Sequence, residues 1–167
     1  LLKQLTALPL QDQTFLELGA GNGLISISAA KHGAQVTASD ISELVVKTLK
    51  QNALDNNVSI QIIKSDLFNQ IPKQTFDIIA INPPYYPKQA RNDLEMAWYC
   101  GVNFEYFQAL FSQIKDYMDT SSLVLMVLSD GCDIPKITSI AKTNGLSFTL
   151  FHQQKIWWEK EFIFRIQ

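Results

Sequence analysis

The chain has 167 residues, 47% hydrophobic and 18% charged, with a formal net charge of −2. That length buries a core without staples, and that charge gives no electrostatic reason to expect tight, non-specific binding to nucleic acid. Cys100 and Cys132 form no CxxC pair and lie near neither histidine, so reduced thiols and no metal site are expected, and no apolar run is long enough for a membrane span.

Strand-like and helix-like segments alternate. Thr14–Leu18 reads as a short strand, followed by a glycine cluster and a helical stretch from about Gly23 to His32. Gln35–Ser39 is a second strand, after which Ser42 caps a helix to about Leu54 with Leu44, Val45, Thr48, Leu49 and Asn52 as its stripe. Ser59–Lys64 and Phe76–Asn82 are the third and fourth strands. Val102–Tyr117 carries Phe104, Phe107, Leu110, Phe111 and Ile114 at helical spacing, which marks that aromatic run, with Tyr106, as helix packing. Ser122–Leu128 is a fifth strand, Ile134–Lys142 a helix ended by Gly145, and Leu146–Phe151 and Glu161–Ile166 a closing hairpin. Trp157 and Trp158 are expected in the core of that edge, and His32 at a helix end and His152 carry no chemistry. The expected fold is α/β: a Rossmann-like, mostly parallel seven-stranded sheet with helices on both faces and a C-terminal antiparallel hairpin, one domain over 1–167. No signal peptide is visible; the sequence begins at Leu1 rather than Met, so a preceding segment is expected, with a targeting signal there left open.

In such sheets ligands sit beyond the carboxyl ends of the strands, and the conspicuous residues fall there. Glu17-Leu18-Gly19-Ala20-Gly21-Asn22-Gly23 joins the first strand to a helix; its glycines allow a tight turn and close approach of a ligand. Its third glycine comes one residue earlier than in a dinucleotide fingerprint, which argues against a pyrophosphate binder. Asp40 ends the second strand and suits the two hydroxyls of a ribose; Asp66 ends the third and suits an adenine amino group, with Leu67 and Phe68 as an apolar wall. Taken singly, each acid reads equally well as a cap or turn residue. At the fourth strand end, Asn82-Pro83-Pro84-Tyr85 stops the strand in an extended turn and holds an amide beside an aromatic face, a site fit to grip a planar NH2 group. Four such strand ends in succession argue for one shared site.

Together these residues resemble class I S-adenosylmethionine-dependent methyltransferases, and the NPPY box resembles the subgroup that methylates amide or exocyclic nitrogens. Within it the chain is most similar to the HemK/PrmC group, glutamine methyltransferases of protein release factors. The stretch Glu95–Gly101 before the aromatic helix and the closing run Glu159–Ile166 add to that likeness. The resemblance implies S-adenosylmethionine as cofactor, with Glu17, Gly19, Ala20, Gly21 and Gly23 shaping the pocket for its methionine part. It implies Asp40 at the ribose, Asp66 and Leu67 at the adenine, Ile41 among the cofactor-binding residues, and Asn82 at the cofactor and the target. Asn82 and the Pro83 carbonyl would accept the target's two N–H groups, Pro84 would stiffen the turn, and Tyr85 would stack on the target, with Tyr86 or Trp98 at the entrance. It implies a cytoplasmic enzyme, a protein substrate such as a release factor, and in some short relatives a small zinc-binding activator protein.

Two departures stand out. The loop Cys100-Gly101-Val102-Asn103-Phe104 lacks the family's paired glycines, and the N-terminal helical domain of PrmC proteins is not in view. A nucleic-acid alternative uses the same grip on an adenine or guanine amino group, with Lys88 and Arg91 on phosphates; the acidic balance argues against it. A non-catalytic binding module and a nicotinamide-dependent oxidoreductase are disfavoured by the intact glycines and by NPPY.

Overall fold

The apolar runs between helices assemble into one sheet. The computed structural model describes residues 1–156 and 158–167. Its elements are α1 (Leu2–Leu5), β1 (Thr14–Leu18), α2 (Leu24–Lys31), β2 (Gln35–Asp40), α3 (Glu43–Asp55), β3 (Gln61–Lys64), β4 (Ile78–Ile81), α4 (Asp93–Met96), α5 (Glu105–Gln113), a 3-10 turn (Ile114–Tyr117), β5 (Leu123–Ser129), α6 (Ile134–Thr143), β6 (Phe148–Ile156) and β7 (Glu159–Ile166). The strand order is β3-β2-β1-β4-β5-β7-β6. β1 to β5 run parallel, and β7 lies antiparallel to both β5 and β6, as the expected closing hairpin.

Alternation along the strands divides the core. Leu16, Leu18, Ile79, Ile81, Val124, Met126 and Leu128 face one layer with Phe107, Leu110 and Phe111 of α5 and Ile137 and Ala141 of α6. Phe15, Val36, Ile78, Ala80, Leu125 and Val127 face the other, with Leu5 of α1 and Ala29 of α2. Full burial of each Phe, Leu or Ile among them is worth about 1.5–3 kcal/mol. At the amino ends, Asp77 accepts hydrogen bonds from the Thr14 N–H (2.8 Å) and hydroxyl (2.7 Å), while its own N–H donates to Thr14 Oγ1 (2.9 Å). That exchange pins β1 beside β4 and so sets the register of their opposite ends.

Several expectations are corrected. The aromatic helix begins at Glu105 rather than Val102, because Gly101 (φ 86°) and Phe104 (φ 61°) turn left-handed just before it. α3 buries Val46, Leu49 and Ala53, whereas Leu44 is exposed; the true stripe is displaced from the one expected. β3 starts at Gln61 rather than Ser59, β4 is trimmed to four residues, and the hairpin strands are displaced towards a longer tip. Trp158 sits at that tip and is 83% exposed rather than in the core, since β6 and β7 run on beyond β5, whose last residue Ser129 pairs with Glu161. Trp157 lies outside the described residues. No helix among the described residues is long and apolar enough to cross a membrane.

Candidate active site

The turn after β1 is built by backbone demand. Gly19, Gly21 and Gly23 all have positive φ. At Gly23 (φ 82°) an added Cβ would stand 2.0 Å from Leu49 Cδ1, so α3 packs directly on the turn's backbone there. At Gly19 and Gly21 such an atom would meet nothing within 4 Å; the turn presents bare backbone to open space. Glu17, buried at 4% exposure, accepts the Ser26 N–H (2.8 Å) and the Ser26 hydroxyl on Oε2, tying β1 to the first turn of α2. Burial pushes its carboxyl up to about 7 against the pull of those hydrogen bonds, and Asp40 nearby adds to the rise.

Asp40 joins the turn to the next helix. Its Oδ2 accepts from the Gly21 N–H (3.1 Å) and its Oδ1 from the Ser42 N–H (3.0 Å), while Ser42 caps α3. The ligand and cap readings are therefore compatible, because each carboxylate oxygen keeps a further lone pair for a hydroxyl donor. Ile41 follows it and is 41% exposed. Asp66 stands exposed just beyond β3, and its carboxylate makes no hydrogen bond or ion pair among the described residues. Leu67 beside it holds a left-handed backbone (φ 48°), and Phe68 is buried under it.

The fourth strand end follows β4 directly. Leu18 pairs with Ile81, so Gly19 and Asn82 emerge side by side at the point where the strand order reverses. The Asn82 side chain is exposed and makes no hydrogen bond among the described residues, while Pro83 is buried behind it. The Tyr85 ring is half-buried against the core, 4.9 Å from the Tyr86 ring at a 59° tilt. Burial raises the Tyr85 phenol above its ordinary value, partly offset by the Ser129 hydroxyl at the end of β5. The Tyr86 N–H donates to the Trp98 carbonyl (3.0 Å), and the Cys100 N–H to the Tyr86 carbonyl (2.9 Å), so the loop folds back on itself. Lys88 is engaged there: its Nζ lies 4.7 Å from the Tyr99 ring centroid.

Thus Asp66, Asp40, the glycine turn and Asn82 stand on four adjacent parallel strands in that spatial order. Three strand spacings put the two ends of this row roughly 14–15 Å apart. Ser26, which holds Glu17, escaped the sequence reading because its role depends on a contact nine residues away. Ser129 did so because only the fold brings β5 beside Tyr85. Among the described residues, no group of three or more His, Cys, Asp or Glu is arranged to hold a metal ion.

The family model described as methyltransferase small domain matches residues 1–99. The chain is 46% identical over 78 residues to a putative protein N5-glutamine methyltransferase of Methanocaldococcus jannaschii, over 46% of this chain and 39% of that one. It is 36% identical over 123 residues to the release factor glutamine methyltransferase of Streptococcus pneumoniae, over 72% of this chain and 41% of that one. The chain thus spans less than half the length of these relatives. Among solved structures it resembles the ribosomal protein L11 methylase of Lactobacillus delbrueckii subsp. bulgaricus, with TM-score 0.67 and 23% identity over 98% of this chain and 77% of that one. It also resembles a magnesium protoporphyrin IX methyltransferase of Synechocystis solved with bound S-adenosylmethionine, with TM-score 0.69 and 21% identity over 99% and 74%. At such identities these two structures speak for the fold alone.

Proposed function

The chain belongs to the methyltransferase small domain family, and from that premise we propose that it is a class I S-adenosylmethionine-dependent N-methyltransferase related to the HemK/PrmC group, acting on a glutamine side-chain amide of a protein such as a release factor. The observation that carries this reading is the ordered row of strand ends, closed by an Asn82 carboxamide with no partner among the described residues. The cofactor fits that row: the turn at Gly19 and Gly21 is open, the Asp40 oxygens retain lone pairs, and the Asp66 carboxylate is unengaged.

Glu17, Gly19, Ala20, Gly21 and Gly23 shape the seat for the methionine part. Asp40 with Ile41 holds the ribose, and Asp66 with Leu67 holds the adenine. Bound there, S-adenosylmethionine supplies an electrophilic methyl group on a sulfonium sulfur. The protein's task is to aim a weak nucleophile at it, because an amide nitrogen's lone pair is delocalised into its carbonyl. The Asn82 side-chain oxygen and the Pro83 carbonyl accept the two N–H groups of the target. Two acceptors placed beyond the strand end draw that nitrogen towards pyramidal geometry, and Tyr85 stacks on the planar amide. Positioning and electrostatics supply most of the acceleration. The names of the two curated relatives support glutamine as the acceptor. A small activator protein remains part of the proposal for the whole protein.

Replacing Asn82 by Ala should leave cofactor affinity within a few-fold of the parent by calorimetry, yet abolish methyl transfer to release factor. An active Asn82→Ala enzyme would sink this mechanism.

A further inference from the structure

Of the seven glycines, six have positive φ, the conformation that favours glycine, and Gly131 is the seventh. Its backbone does not call for glycine, so what matters there is what a side chain would meet. An added Cβ would stand 3.4 Å from the Ser129 hydroxyl oxygen and 3.8 Å from the Tyr86 hydroxyl oxygen. A methyl group would fill that gap in ordinary contact, and a branched side chain would compete with the phenol for it. The Tyr86 hydroxyl therefore lies over the turn that follows β5, the strand beside β4.

That turn is fixed from within. The Ser129 N–H donates to Cys132 Sγ (3.2 Å), the Cys132 N–H to the Ser129 carbonyl (3.0 Å), and the Gly131 N–H to Ser129 Oγ (3.3 Å). The Asp130 N–H donates to the Lys160 carbonyl (3.0 Å), which ties the turn to the hairpin. Tyr86 is fixed at its other end as well. Its N–H donates to the Trp98 carbonyl, its own carbonyl accepts the Cys100 N–H, and its ring lies 4.9 Å from the Tyr85 ring. Tyr86 thus reaches from the returning arm of its loop to the end of β5, with Tyr85 against its flank. Aromatic rings in such contact restrain one another.

Resting on the acceptor reading above, we propose that Tyr86 is a positioning residue for methyl transfer: braced on the bare backbone of Gly131, it holds the Tyr85 ring at the angle at which that ring stacks on the target amide. Gly131 is the other half of the device, because a larger side chain there displaces the phenol and, through it, Tyr85. The sequence reading put Tyr86 at the entrance of the site; its contact with Gly131 adds the bracing of Tyr85.

Steady-state kinetics on release factor test this with Tyr86→Ala, Tyr86→Phe, Gly131→Val and the double variant Tyr86→Ala, Gly131→Val, beside calorimetry with S-adenosylmethionine. Loss of the ring should lower kcat about 10- to 100-fold, as a misaimed amide does, with cofactor affinity within a few-fold of the parent. Tyr86→Phe, which keeps the ring, should recover most of that rate. Gly131→Val should lower kcat in the same sense, and the double variant should be no slower than Tyr86→Ala alone, because both changes act through one contact. Losses that multiply in the double variant overturn the assignment, as do Tyr86→Ala kinetics equal to the parent's or a parallel fall in cofactor affinity. A parent that methylates no release factor overturns the acceptor reading, and the assignment with it.

Discussion

Glu17 carries a carboxyl whose pKa burial raises to about 7, held by Ser26 on a single oxygen. A group whose folded pKa is raised contributes stability below its unfolded pKa, and that contribution is lost as pH climbs through the folded value. From about pH 4.5 to 7 the folded protein therefore loses on the order of 3 kcal/mol from this one group. Glu17→Gln keeps an oxygen for the Ser26 donors without the ionisation. It should melt higher than the parent at pH 8 and show little advantage at pH 4.5, as thermal melts across that range will read. The same residue shows what a sequence can convey. The glycines beside Glu17 were legible because their need is backbone conformation, a local property. Ser26 was not, because a hydrogen bond between a strand and the following helix leaves no mark in either segment's pattern.

At the scale of elements, the strands and helices were read in the right number and order apart from the four-residue α1 and α4. Their boundaries slipped where side-chain character and backbone turn disagree. Phe104 looks helical by hydrophobicity, yet its left-handed backbone starts α5 one residue later. Leu44 was placed on the buried stripe of α3, whereas the contact with the glycine turn is made by Leu49. The hairpin tip with Trp158 was misplaced because apolarity alone cannot say that β6 and β7 outrun β5. The Thr14–Asp77 clamp was likewise silent in sequence, its partners being 63 residues apart. Asp77→Ala removes its two acceptor bonds and should lower stability by about 1–2 kcal/mol at pH 7. Hydrogen bonds from Thr14 hold that carboxyl below its ordinary value. Its contribution is thus present above the unfolded pKa of about 3.9 and fades as pH falls through the folded one. The gap in melting temperature between parent and variant should narrow as the pH is taken below 4; a gap that widens in acid would contradict the clamp's charge-assisted character.

For the whole molecule, the proposed function divides the carboxyl ends of the strands into two parts at the reversal of strand order. β3, β2 and β1 end in acids and open backbone suited to the cofactor, and β4 ends in the amide and prolines suited to the acceptor. The placing of the four motifs at adjacent strand ends was legible because each lies at the end of an apolar run. The acceptor's identity was not, since the grip proposed for Asn82 and Pro83 suits any planar NH2 and the loops that would choose among them follow no local rule. The most direct test is the chemical position of the transferred methyl. Release factor is treated with the protein and methyl-labelled cofactor, and the product is then hydrolysed in acid. A methylated glutamine amide releases the label as methylamine, which is the predicted result. Label released as methanol from an ester, or recovered instead on a purine of co-incubated RNA, would contradict the account.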